Sequence, residues 1–379
     1  METIKFIDLF AGIGGFRFGM ESAGHECVAF CEIDKFARAS YKAIHSTEGE
    51  IELHDITQVT DEEIRNIGHV DAICGGFPCQ AFSIAGNRRG FEDTRGTLFF
   101  EIARFASILK PKYLFLENVK GLLNHDKGDT FEVILSALDE LGYDVEWQVL
   151  NSKDFGVPQN RERVFIIGHL RGERGRKIFP IGGDGETIDC EQPKINKVGN
   201  IRKKGKSQSG DVVSVDSLAP TLCSTTTQKD PLKILLAGNL PGSHEQNGRV
   251  YDPEGISPTL NTMQGGDRQP KIRVREATKQ GYAEASVGDS VNLARPNSKT
   301  RRGRVGKQIA NTLLTGESQG VVEPNFRIRK LTPRECWRLQ GFPDWAFDKA
   351  QEVNSNSQLY KQAGNSVTVN VIKEIARYL

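Results

Sequence analysis

Four side chains in this 379-residue sequence have the chemistry to attack, hold and protonate one substrate group. Cys79 lies in GGFPCQAFS (Gly75–Ser83), directly after a predicted strand, Val70–Cys74. The glycines and proline before it set the thiol in a loop at a strand's carboxyl end, where a nucleophile is reachable. Taken alone, a cysteine there reads as a buried, inert residue. That reading weakens because Glu117, in ENV, follows the next predicted strand, and Arg161 and Arg163, in QNRER, follow another loop. A thiolate can attack, a carboxyl can move a proton, and guanidiniums can hold developing negative charge.

A second constellation opens the chain. DLFAGIGGF (Asp8–Phe16) follows the first predicted strand, and its glycines let the backbone turn tightly at a helix N-terminus. It is not the full dinucleotide pattern, so a structural turn and a nicotinamide site both remain open on these residues alone. Glu32 ends the second predicted strand, where an acidic residue grips ribose hydroxyls in such folds, and Asp55 follows in LHDI. Each carboxylate by itself also reads as a solvated cap.

The elements that must position these groups alternate. Short apolar runs at Ile4–Phe10, Glu26–Cys31, Val70–Cys74, Tyr113–Leu116, Val145–Leu150 and Arg163–Gly168 read as strands. Gly15–Ala23, Lys35–Ile44, Thr97–Leu109 and Thr130–Leu141 space their apolar residues as amphipathic helices do. The pattern predicts an α/β fold with a doubly wound, mostly parallel sheet, whose ligands sit outside the carboxyl ends of the strands.

After Leu170 the texture changes to Gly, Pro, Ser, Thr, Asn and basic residues, and irregular strands and loops are expected. Threonine-leucine phrases recur there at Thr221, Thr259 and Thr312, too unevenly for a solenoid. The net charge of +1 hides a polarity: residues 170–330 hold 27 Lys and Arg against 17 Asp and Glu, and the remainder 23 against 32. A basic lobe beside an acidic one suits phosphate neutralisation, and also a solvated surface with no partner. Near the C-terminus, Thr332 with Glu335 predicts a capping box, and Val367, Val371, Ile372 and Ile375 make an apolar face. The expected domains are 1–170 plus 353–379 for the core and 171–352 for the second lobe, variable over about 171–326 and followed by a block at 327–343. Seven cysteines without a Cys-x-x-Cys pair predict neither a disulfide framework nor a metal site. With no leader-like N-terminus and no apolar run of about 18 residues, a cytoplasmic protein without a membrane partner is expected.

The ordered blocks DLFAGIGG, GGFPCQAFS, RGTLFFEIAR, ENVKGL, QNRERVFIIG, RKLTPREC with GFP, and QAGNSV span Asp8–Val367. Together they resemble the bacterial and phage cytosine-5 DNA methyltransferases. The resemblance implies a Rossmann-like, S-adenosylmethionine-dependent enzyme with an inserted target-recognition domain, acting on double-stranded DNA without a metal. It casts Cys79 as the nucleophile at cytosine C6, Glu117 as the partner of N3, and Arg163, with Arg161 beside it, at O2. It assigns Phe10, Gly12, Gly14, Glu32, Asp55, Pro78, Leu98, Asn365 and Val367 to the cofactor. Gln80–Arg95 resembles the family's mobile loop, so Gln80, Ser83, Arg88 and Arg89, with Thr312 and Leu313, are the implied DNA contacts. A monomer is expected, and a separately acting restriction endonuclease is left open. A tRNA cytosine-5 methyltransferase is disfavoured because no Cys-Phe-Thr tripeptide occurs. A non-catalytic DNA-binding relative would be expected to lose Cys79, and a nicotinamide oxidoreductase has no use for the paired arginines.

Overall fold

The computed structural model describes residues 3–78, 98–173, 177–181, 271–294, 302–316, 318–324 and 327–379, single positions at 298 and 300, and five short strands between Lys197 and Val250. Cys79, Gln80, Ser83, Arg88 and Arg89 lie outside the described residues, as do Thr221 and Thr259.

One seven-stranded sheet organises the first part of the chain. Its strands are β1 (Lys5–Leu9), β2 (Glu26–Cys31), β3 (Ile51–Leu53), β4 (Ala72–Gly76), β5 (Tyr113–Val119), β6 (Tyr143–Asn151) and β8 (Glu162–Leu170); a two-residue strand, β7 (Gln159–Asn160), lies outside it. The order is β3-β2-β1-β4-β5-β8-β6. Strands β3 to β5 run parallel through β2, β1 and β4, whereas β8 runs antiparallel to both neighbours. The chain reverses its winding between β1 and β4, and the cleft of a doubly wound sheet forms at that point.

Helices α1 (Gly15–Ser22), α2 (Lys35–Ile44), α3 (Asp61–Asn66), α4 (Leu98–Leu109) and α5 (Asp129–Glu140) alternate with the strands. Strand β1 is interior, so its alternating side chains serve two cores. Ile7 and Leu9 pack with Phe99, Ile102 and Ile134 on one face. Phe6 packs with Met20 on the other, where Val367, Val371, Ile372 and Ile375 close over the sheet as their spacing predicts. Burying each such side chain contributes roughly 1.5–3 kcal/mol.

The C-terminal helices are α6 (Pro333–Leu339), α7 (Asp344–Val353), α8 (Asn356–Asn365) and α9 (Val369–Ala376). Thr332 and Glu335 form the expected capping box at α6. The sequence places residues up to 352 in the second lobe; the structure packs them differently. Contacts divide the chain into one unit of Met1–Ile181, Gln308–Gln319 and Lys330–Leu379, and another of Gly182–Lys307 and Gly320–Arg329. The reason is apolar. Trp337, Phe342 and Phe347 share a buried cluster with Ile13, Ile44 and Leu359, and the Trp337 indole donates to the Leu359 carbonyl at 3.0 Å. The second unit contains an antiparallel pair, Lys271–Arg275 with Tyr282–Ala285, over a small core of Ile272, Val274, Ala285, Val291 and Val322. Among the described residues no helix is long and apolar enough to cross a membrane, and no His, Cys, Asp and Glu cluster is arranged to hold a metal.

Candidate active site

A cleft of about 450 Å³ opens at the carboxyl ends of β1, β2, β4 and β5, within the first unit. The turn after β1 forms its floor. Phe10, Gly12 and Gly14 all have positive φ, at 55°, 58° and 83°. Gly14 is required for space as well, because a Cβ there would overlap the His45 imidazole. That ring is bonded to the Ile13 carbonyl at 3.3 Å, and burial pushes its pKa down to about 3, so it is neutral and its Nε2 donates the hydrogen.

Glu32, at the end of β2, is fixed by two backbone amides. Oε2 accepts from Gly12 at 2.8 Å and Oε1 from Asp34 at 2.7 Å. Burial raises its pKa, and the two amides work in the opposite direction. Asp55 accepts the Thr57 amide at 3.0 Å and the Thr57 hydroxyl at 2.8 Å through one oxygen. Glu32, Asp55, Phe10, Gly12, Pro78, Leu98 and Asn365 all line the cleft. Gly14 and Val367 do not; Val367 is 8 % exposed and lies in the apolar core against Gly15 and Gly76.

At the other end of the cleft stand the charged groups. Glu117, near the end of β5, bonds the Arg163 Nε at 2.9 Å, which β8 brings across because it runs antiparallel to β5. Burial raises the Glu117 pKa, outweighing Arg163 first and Arg161 second, which both lower it. Asn118 donates to the Phe77 carbonyl at 2.9 Å and so ties the end of β5 to the turn that precedes Cys79 in the chain.

Arg161 lines the cleft but spends its guanidinium on carbonyls: Nη1 on Leu313 at 3.4 Å, and Nη2 on Gly364 at 3.1 Å and Ser366 at 2.7 Å. Thr312 and Leu313 sit beside it. Ala310 and Asn311 pair in parallel with β7, the Thr312 hydroxyl donates to the Asn160 carbonyl at 2.7 Å, and the Leu313 amide donates to Gln159 at 3.1 Å.

Several wall residues escape the sequence reading. Ile33 is 66 % exposed on the cleft, unusual for a large aliphatic side chain, and Lys361 pairs with Asp34 at 2.7 Å on the same wall. Ile33 directly follows Glu32, which is the one local signal for it; Lys361 offers none, since its partner is 327 positions away.

A doubly wound sheet with a cleft at its switch point, holding a buried carboxylate and guanidinium, defines an α/β enzyme that works on a small bound group. The chain belongs to the C-5 cytosine-specific DNA methylase family, whose profile matches residues 4–379. It is similar to the orphan methyltransferase M.SPRI of Bacillus phage SPR, 35 % identical over 435 residues that cover 100 % of this chain and 98 % of the relative. It is also similar to the type II methyltransferase M.HhaI of Haemophilus parahaemolyticus, 35 % identical over 379 residues covering 99 % and 94 %. Among solved structures, an E. coli prophage protein described as a DNA modification methyltransferase shares the fold, with a TM-score of 0.54, 23 % identity and coverage of 99 % and 98 %.

Proposed function

We propose that the chain is an S-adenosylmethionine-dependent DNA (cytosine-5)-methyltransferase that rotates a cytosine out of duplex DNA within a specific short sequence, in restriction–modification or phage anti-restriction. The observation that carries this reading is the Glu117–Arg163 pair at 2.9 Å in the wall of the cleft. Cytosine presents N3 and O2 side by side on its Watson–Crick edge, and a carboxyl beside a guanidinium matches both.

S-adenosylmethionine fits the donor set: two carboxylates for its ribose hydroxyls and adenine amino group, and apolar surface at Phe10, Ile33, Pro78 and Leu98. When bound it supplies an electrophilic methyl on a sulfonium. Glu32 takes the ribose, Asp55 the adenine edge, and Asn365 closes the wall. Because both Glu32 oxygens accept backbone amides, a Glu32→Gln substitution turns an amide NH2 toward a donor. An unmet buried group of that kind costs about 1–3 kcal/mol. The expected result is a cofactor KM raised about tenfold or more with kcat little changed, read from initial rates; an unchanged KM removes Glu32 from the site.

Cys79, as thiolate, bonds to C6 of the flipped ring, and the charge that develops at N3 and O2 is met by a proton from Glu117 and by the Arg163 guanidinium. C5, made nucleophilic by that addition, would take the methyl that bound S-adenosylmethionine supplies; loss of the C5 proton to a base, return of the N3 proton to Glu117 and expulsion of the Cys79 thiolate then restore the ring. Unstacking a base costs about a few kcal/mol, which phosphate contacts from the basic residues of 170–330 offset. In this reading Gly182–Lys307 belongs to the inserted target-recognition domain. Gln80, Ser83, Arg88, Arg89, Thr312 and Leu313 contact DNA, and the enzyme works as a cytoplasmic monomer.

Bisulfite sequencing of DNA from cells that express the protein tests the reading. The expected outcome is protection of cytosines within a defined consensus; full conversion throughout overturns it.

A further inference from the structure

Arg161 is 3 % exposed, and its guanidinium hydrogen-bonds backbone carbonyls of Leu313, Gly364 and Ser366. A buried guanidinium is costly unless its donors are met, and here carbonyls from two distant segments meet Nη1 and Nη2, while Nε is left without a partner among the described residues. Leu313 belongs to the threonine-leucine segment; Gly364 and Ser366 flank Asn365 on the cofactor wall. The two segments also touch directly. A Cβ at Gly364 would overlap the Leu314 carbonyl and stand 2.7 Å from the Thr315 nitrogen. Backbone packed this closely cannot move on one side without moving the other. Arg161 thus links two segments at once, while Arg163 takes the Glu117 carboxylate.

We propose that Arg161 is a positioning residue that couples residues 312–315 to the Asn365 turn, so that duplex DNA engaged at the first and cofactor held at the second raise each other's affinity. The coupling rests on the methyltransferase reading above. Ordering either segment fixes the shared guanidinium, so the second ligand meets a turn already set. By linkage the effect is the same in both directions.

S-adenosylhomocysteine is the probe, because it occupies the cofactor site without turnover. Its Kd is measured by titration with and without a duplex that the wild-type protein methylates. The expected result is binding about tenfold tighter with DNA in wild type. In Arg161→Lys, whose single ammonium cannot span both segments, the ratio falls to near one. A second measurement needs no variant: S-adenosylhomocysteine alone is expected to slow amide hydrogen exchange at residues 312–315 of the wild-type chain. A wild-type protein that methylates DNA but shows a ratio of one, an undiminished ratio in Arg161→Lys, or unchanged exchange at 312–315 overturns the coupling and leaves the methyltransferase reading standing. A wild-type protein that methylates no DNA overturns both.

Discussion

Cys79→Ser protein is expected to lose methyl transfer to DNA by about four orders of magnitude or more, as enzymes do when a covalent nucleophile is removed. Carbon 5 of cytosine is a poor nucleophile until C6 carries an electron-rich substituent, and a thiolate adds there far more readily than an alcohol, which is scarcely ionised at neutral pH. The loss should fall on kcat. Glu32, Asp55 and Asn365, which line the cleft, are untouched by the change, so S-adenosylhomocysteine affinity should stay within a few-fold of wild type. A duplex carrying 5-fluorocytosine supplies the covalent readout. Incubated with S-adenosylmethionine, C5 takes the methyl but fluorine leaves no C5 proton to release, so the adduct with Cys79 persists through denaturing electrophoresis in wild type and is absent from Cys79→Ser. Activity retained by the serine variant would remove Cys79 from the mechanism.

What could be read from the chain alone depended on how local the signal was. Strands β1, β2 and β5 are apolar runs that needed no partner to be recognised, and Thr332 with Glu335 announced α6 within four residues. Strand β3 and helix α3, three and six residues long, were too short for periodicity to register. Residues 330–352 pack with the first unit although the sequence groups them with the second lobe, because Trp337 and Phe342 advertise burial but not against what. The same limit applied at the cleft. Glu32, Glu117 and Arg163 were legible as types at strand ends, whereas the use of Arg161 on the carbonyls of Leu313, Gly364 and Ser366 depends on backbone brought in from 152 to 205 positions away. Backbone acceptors carry no residue identity, so no sequence pattern could reveal them. Val367 shows the converse: a position in a recognisable block whose side chain turns into the core instead of the cleft.

Glu117→Gln should lower methyl transfer by about 10²–10⁴-fold, the usual contribution of a positioned general acid. Glutamine keeps the shape and can still accept from the Arg163 Nε, but it has no proton to give to N3. Burial raises the Glu117 pKa in spite of both neighbouring arginines, and this sets two pH signatures with defined signs. In wild type the acid is the active form, so the limb of the rate profile that Glu117 governs falls as pH rises through its folded pKa; in Glu117→Gln that limb is flat. Stability follows the same group. Its folded pKa lies above the ordinary carboxylate value of 4.5, so the stabilisation is fully present below 4.5 and is lost as pH rises through the folded value. Above that window wild type carries a buried carboxylate that glutamine does not. Melting temperatures of the two proteins, compared from pH 4.5 upward, should therefore diverge in favour of Glu117→Gln. A difference that stays constant with pH, or that moves toward wild type, would mean that Glu117 is ionised throughout and meets N3 as an acceptor, which cannot relieve the negative charge arriving with the thiolate.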